Sequence, residues 1–154
     1  MLAKQLRSFL DAHQVKYVVI QHSPAFTAQE VAASAHVSGR ELAKTVVVRL
    51  DDELVLAVVP ATRQVDLESL CRAAGAGRAE LPSESDFRGR FPDCQPGAMP
   101  PFGNLYQMPV YADPSLAGER EIAFNAGTHT DLVRLSFEDF RRLATPRLVE
   151  IAGG

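Results

Sequence analysis

The chain is poor in cysteine, with Cys71 and Cys94 the two thiols among 154 residues. That is too few for a disulfide framework, and they stand too far apart for a zinc site, so both are expected as free thiols in a reducing compartment. His13, His22, His36 and His129 share no metal-ligand spacing, and no metal site is expected. No apolar run approaches the ~20 residues of a membrane helix. The opening Met1-Leu2-Ala3-Lys4-Gln5-Leu6-Arg7 interrupts its apolar positions with charge instead of building a signal-peptide core. A cytoplasmic protein without a membrane partner is the expectation. The phosphate-binding lysine loop, G-x-G-x-x-G and G-x-S-x-G are all missing, which removes the common nucleotide-binding and serine-hydrolase signatures. No cofactor is expected. Internal repeats, low-complexity tracts and linkers are also lacking, so residues 1–154 read as one domain, long enough to bury a core without staples.

What is present is ordinary for a globular chain: 46% apolar and 23% charged residues. The net charge of −3 argues against indiscriminate nucleic-acid binding through the field of the whole protein. Arginines nevertheless recur, among them Arg40, Arg49, Arg63, Arg72, Arg78, Arg88 and Arg90, with Arg141, Arg142 and Arg147 near the end. Folding could gather some of them into a local basic face.

Periodicity gives the elements. Leu2, Leu6, Phe9 and Leu10 share one helical face, predicting a helix over 2–12. Val15–Ile20 is β-rich. Thr27-Ala28-Gln29-Glu30 has the capping-box pattern for a helix running to about Ala35. Lys44–Leu50 and Leu54–Val59 flank Asp51-Asp52-Glu53, and a valine run without polar alternation predicts a hairpin covered on both faces near the sheet centre. Asp66 is a candidate N-cap for a helix ending before Gly75, with Cys71 on its inner face. A short strand over 78–81, a short helix over 83–90, strands at Leu105–Tyr111, Glu121–Asn125 and Leu132–Leu135, a helix opened by Ser136, and an edge strand at Arg147–Ile151 complete the reading. The fold class is α/β: a mixed sheet flanked by helices.

Three features carry candidate chemistry. Gly97-Ala98-Met99-Pro100-Pro101-Phe102-Gly103 joins two permissive glycines to a stiff Pro-Pro-Phe centre, making a shaped turn whose amides could meet a carbonyl or phosphate oxygen. On local sequence alone it reads first as a tight connection before the apolar segment Leu105–Tyr111. Lys44 opens an otherwise apolar strand, an unusual place for a cation unless its ammonium reaches a cleft, and Glu41 is a candidate partner for it. His129 follows Gly127-Thr128 in a polar turn between strands, where it could sit at a pocket mouth or simply face solvent. Cys94 has no base within reach in sequence and is a poor candidate nucleophile.

The order and separation of His22-Ser23-Pro24-Ala25-Phe26-Thr27, Leu42-Ala43-Lys44-Thr45-Val46-Val47-Val48, the Gly97–Gly103 loop and Gly127-Thr128-His129 resemble the YbaK / prolyl-tRNA editing family of freestanding aminoacyl-tRNA deacylases over most of the chain. The resemblance implies a YbaK-like mixed α/β fold and hydrolysis of the ester that joins a wrong, small amino acid to a tRNA such as tRNA-Pro. It implies catalytic roles for Lys44, Gly97 and His129, and substrate contacts from Thr45, Met99, Pro100, Pro101, Phe102 and Gly103. Met99, Pro101 and Phe102 would wall a small pocket acting by steric exclusion. The partner implied is the 3′ end of a misacylated tRNA, with an aminoacyl-tRNA synthetase as a candidate recruiter. The same residues would serve a non-catalytic module that binds an aminoacyl-tRNA or nucleotide end.

Overall fold

The computed structural model describes residues 3–23 and 27–154. Met1, Leu2 and the Pro24-Ala25-Phe26 part of the first motif lie outside the described residues. The amphipathic start forms α1 (Lys4–Ala12), which buries Leu6 and Leu10 and is capped by His13. Strand β1 (Tyr17–Gln21) follows, starting at Tyr17 where Val15 was expected. Thr27 opens α2 (Ala28–Ala35) with the complete capping box: Thr27 Oγ1 accepts from the Glu30 N–H, and Glu30 Oε1 accepts from the Thr27 N–H, both at 3.1 Å.

The valine-rich centre forms the antiparallel hairpin of β2 (Ala43–Leu50) and β3 (Glu53–Pro60). After β4 (Gln64–Val65) comes α3 (Leu67–Ala74), which Asp66 caps by accepting the Ser69 N–H and which Gly75 closes at φ 69°. Cys71, expected in the core, is half-buried on this helix and donates to the Ala76 carbonyl. The rest comprises β5 (Ala79–Glu80), β6 (Val110–Ala112), β7 (Glu121–Asn125), β8 (Asp131–Ser136), α4 (Phe137–Ala144), β9 (Arg147–Leu148) and β10 (Ala152–Gly153).

The main sheet runs β5-β2-β3-β6-β9. It is antiparallel from β5 to β3 and parallel from β3 to β9, so it is mixed as expected, with the hairpin inside it. A second, antiparallel sheet runs β1-β8-β7. The two meet at a parallel bridge between Leu42 and Ala123. A short β4-β10 ribbon ties the end of the chain to the segment after the hairpin. No helix among the described residues is long and apolar enough to cross a membrane.

The edge strand expected over Arg147–Ile151 ends at Leu148, and two further expectations change. Ser83–Arg90 supports only a 3-10 turn at Glu84–Phe87. Leu105–Tyr111 is not a strand along its length: a 3-10 turn occupies Gly103–Leu105 and pairing begins at Val110. The cause is Gly103, whose carbonyl accepts both the Tyr106 and Met108 N–H groups at 2.9 Å. The chain thus doubles back so closely that a β-carbon at Gly103 would collide with the Met108 carbonyl. Tyr106 and Met108 are buried from this folded-back segment. Pro109, which has no N–H to give, contributes its carbonyl to Leu56 at 2.9 Å and so starts the parallel pairing of β6.

Candidate functional site

The site begins with a gap in a sheet. β3 covers one edge of β2 from end to end, whereas β5 pairs only with Arg49 and Leu50 on the other. Leu42 accepts the Ala61 N–H across the hairpin, so by antiparallel alternation Lys44, Val46 and Val48 direct their main-chain groups at β3. Thr45 and Val47 direct theirs outward, into the stretch that β5 leaves uncovered. A cavity of about 380 Å³ occupies this gap, lined along β2 from Leu42 to Val47 and elsewhere by Val31, Phe87, Gly97, Met99 and Asn125. Because side chains alternate between faces, Lys44 and Val46 approach it from one face of the sheet and Thr45 and Val47 from the other.

Lys44 is half-buried here and has no ion pair or hydrogen bond among the described residues. Glu41 does not pair with it; the Glu41 carbonyl instead receives the Ala123 N–H at 2.9 Å. Burial lowers the Lys44 pKa from the ordinary lysine value because the charged form loses hydration with no carboxylate to replace it.

Gly97 lines the same cavity as Lys44. The Ala98 N–H bonds to the Gln95 carbonyl at 3.0 Å, with Pro96 second and Gly97 third at φ 82°, the residue pattern of a type II turn. The turn is bolted to the Gly127–His129 segment. Gln95 N–H donates to Gly127 O at 2.7 Å, Gly127 N–H to Ala98 O at 2.9 Å, and His129 N–H to Gln95 Oε1 at 2.8 Å. His129 Nε2 lies 2.7 Å from Pro96 O, and since a carbonyl can only accept, that nitrogen carries the proton. Among the described residues nothing accepts the Gly97 or Met99 N–H. A rigid turn therefore presents uncommitted amides at a cavity wall.

The expected site residues divide accordingly. Lys44, Thr45, Gly97 and Met99 come together around the cavity. His129 stands behind the turn and is not among the lining residues. Pro100, Pro101, Phe102 and Gly103 are buried and do not line the cavity, so Pro101 and Phe102 are not the pocket wall expected of them. Phe102 is fully enclosed in the core, with the rings of Phe9, Phe124 and Phe140 centred 5.7, 5.6 and 5.7 Å away. It anchors the turn from beneath.

Cys94 faces the Tyr106 hydroxyl at 3.4 Å. Burial pushes its thiol upward in pKa, against the Tyr106 hydrogen bond, which lowers it, so the thiolate a nucleophile needs is disfavoured. Sequence reasoning missed Asn125 and Phe87, which reach the cavity through strand pairing and a 3-10 turn without any local signature. The Thr45 Oγ1 and Asn125 Oδ1 atoms are buried and have no hydrogen-bond partner among the described residues. Such groups cost free energy while unpaired and mark where a polar ligand atom would be welcome.

Comparison with known proteins places the chain in a family. The family described as the aminoacyl-tRNA editing domain matches residues 22–143. The multifunctional Ser/Thr-tRNA deacylase ProXp-y of Escherichia coli K12 is 41% identical over 97 residues, covering 62% of this chain. The chain spans 57% of that relative's length. A proline–tRNA ligase of Streptomyces coelicolor is 33% identical over 91 residues, 59% of this chain and 16% of the ligase. A solved structure provisionally described as a trans-editing enzyme for prolyl tRNA synthetase superposes with a TM-score of 0.84 at 21% identity, covering 99% of this chain and 97% of the other, a likeness of fold. With the match spanning most of its length, the chain belongs to the aminoacyl-tRNA editing domain family.

Proposed function

We propose that this chain is a trans-editing hydrolase that removes a small, wrongly attached amino acid from a tRNA by cleaving the aminoacyl ester. The observation that carries the reading is the meeting of an unpaired Lys44 and the uncommitted Gly97 amide at one cavity. Ester hydrolysis requires a water at the carbonyl carbon and donors aimed at the oxygen on which charge develops. The Gly97 N–H, with Met99 N–H beside it in the loop, suits that second task. Lys44 suits the terminal nucleotide's phosphate, an anion that would restore the partner its ammonium lacks. Water adds to the carbonyl carbon, the bond to the ribose oxygen breaks, a proton passes to that oxygen, and free amino acid and tRNA leave. A substrate hydroxyl beside the ester helps to place the water. No side-chain nucleophile takes part. His129 acts through the turn it holds.

The apolar lining from Val31, Val47, Phe87 and Met99 limits size, and the buried Thr45 hydroxyl on the Val47 face offers a hydrogen bond to a small polar side chain. This agrees with the name of the Escherichia coli relative, a Ser/Thr-tRNA deacylase. Likeness to part of a proline–tRNA ligase supports tRNA-Pro as one acceptor and a synthetase as a candidate recruiter. Residues 1–154 act in this reading as one domain.

Single-turnover deacylation of a panel of misacylated tRNAs by the wild type and by Lys44→Ala tests it. Cleavage well above the uncatalysed rate, lost in the variant, is expected. Tight retention of charged tRNA without cleavage would instead favour a non-catalytic binding module. An unaffected Lys44→Ala would remove the lysine from the mechanism.

A further inference from the structure

Asn125 has no part in the chemistry set out above. It ends β7, two residues beyond Ala123, which bridges to Leu42 in parallel. Two residues beyond Leu42 lies Lys44. With a side-chain period of two on both strands, Asn125 and Lys44 project from the same face of the junction, and both line the cavity. The neighbours of Asn125 explain why it does not point elsewhere: Phe124 faces the core beside Phe102, and Ala126 is fully buried with its N–H bonded to Asp131 O at 3.0 Å. The side chain is half-buried, and its Oδ1 is sealed from solvent without a hydrogen-bond partner among the described residues. An amide oxygen with two lone pairs and no donor, lining the same cavity as an unpaired lysine, is a site waiting for an O–H or N–H group that arrives with an anion.

The terminal nucleotide of an aminoacyl-tRNA is such a ligand. Only one of the two neighbouring ribose hydroxyls is esterified, so the other remains a free donor. We propose that Asn125 Oδ1 accepts the proton of that free ribose hydroxyl. The inference rests on the deacylase reading, and gives it a residue to orient the substrate's own hydroxyl. With its proton held by Asn125, the hydroxyl turns its lone pairs towards the attacking water and accepts a hydrogen bond from it, fixing the water at the ester carbon. Binding of the hydroxyl also satisfies the buried amide oxygen, so the free site's penalty is relieved only by a ribose that carries this group. An acceptor ending in a deoxyribose would leave Asn125 Oδ1 without a donor.

A mutant–substrate cycle tests this. Single-turnover deacylation is measured for the wild type, Asn125→Leu and Asn125→Ala, each with seryl-tRNA ending in adenosine and in 2′-deoxyadenosine, on which the ester sits at the 3′ oxygen. The wild type is expected to lose about tenfold or more on the deoxy substrate, the scale of one lost hydrogen bond to an oriented group. The Asn125 variants should lose a similar factor on the ribose substrate and little further on the deoxy substrate. Independent losses that multiply in the double change would overturn the proposal, because a structural role for Asn125 does not depend on the ribose hydroxyl. Full activity of both variants on the ribose substrate would overturn it too. Melting temperatures identify a variant that misfolds, and the second substitution then decides. A wild type that cleaves neither substrate overturns the deacylase reading itself and this inference with it, an outcome distinct from multiplying losses.

Discussion

Gly97 and His129 are held against each other: a β-carbon on Gly97 would lie 3.5 Å from His129 Cε1, while the same ring grips the Pro96 carbonyl at 2.7 Å. The contact distance is ordinary, so space does not forbid a side chain at position 97. The backbone does, since φ there is 82° and an L-residue in the left-handed region costs roughly 1–2 kcal/mol. Gly97→Ala is therefore expected to destabilise the fold by that amount. Escape from the strain would rotate the 96–97 peptide and misaim its N–H, lowering the deacylation rate about a hundredfold. Melting together with single-turnover rates checks both; a destabilised variant with unchanged rate would remove the Gly97 amide from the chemistry.

His129→Ala should be milder. It removes the ring's bond to Pro96 but leaves His129 N–H on Gln95 and both main-chain bonds between the Gln95–Ala98 turn and Gly127. A fall of about tenfold in kcat with little change in KM is expected, in line with one hydrogen bond's worth of positioning. A loss as large as that of Lys44→Ala would mean that the ring meets the substrate.

Thr45→Val keeps the shape of the side chain and removes the buried hydroxyl. If that hydroxyl reads a polar amino-acid side chain, the ratio of seryl to alanyl ester cleavage should fall by about tenfold, and Thr45→Ser should restore it. An unchanged ratio in Thr45→Val would leave size alone as the basis of selection.

Much of the scaffold was legible because local signals and tertiary demands agree. Thr27 and Glu30, Asp66 and Gly75, and Ser136 cap helices where their chemistry requires, and the unbroken Val46-Val47-Val48 run lies in the sheet interior. The failures come where one residue overrides a pattern. Leu105–Tyr111 has strand composition, yet Gly103 turns the chain back on Met108. Lys44 and Gly97 could be singled out because a cation opening an apolar strand and a Pro-Gly turn are each locally odd. Phe102 was misplaced because an aromatic after two prolines suits a pocket wall and a core anchor equally, and only the rings of Phe9, Phe124 and Phe140 decide between them. Asn125 gave no signal because its importance lies in the unpaired stretch of β2 opposite it, a property of pairing and not of its neighbours in sequence.

Cys94→Ala should retain deacylation, because burial keeps the thiol protonated and the proposed reaction uses no covalent intermediate. Alkylation of the wild type near neutral pH should correspondingly be slow at Cys94. Loss of cleavage in a variant that melts normally would reinstate a thiol nucleophile.

Lys44 sets function against stability, and pH separates the two. Its pKa is lowered in the folded protein by burial, so the folded state is the poorer proton acceptor. Below the lowered value both folded and unfolded chains carry the charge, and the full penalty of burying it is present. Between that value and the ordinary lysine pKa the unfolded chain holds the extra proton, so stability rises with pH; above both, the penalty is gone. Lys44→Met, close in volume and uncharged, should thus melt higher than the wild type near neutral pH, by about 2–4 °C if about 1 kcal/mol is recovered. The advantage should shrink as the pH is raised towards the ordinary lysine value. The same variant should lose deacylation, since the phosphate no longer meets a cation. A lower melting temperature at neutral pH would show that the ammonium is already compensated in the free protein, and the picture of a lysine left unpaired until substrate arrives would have to be abandoned.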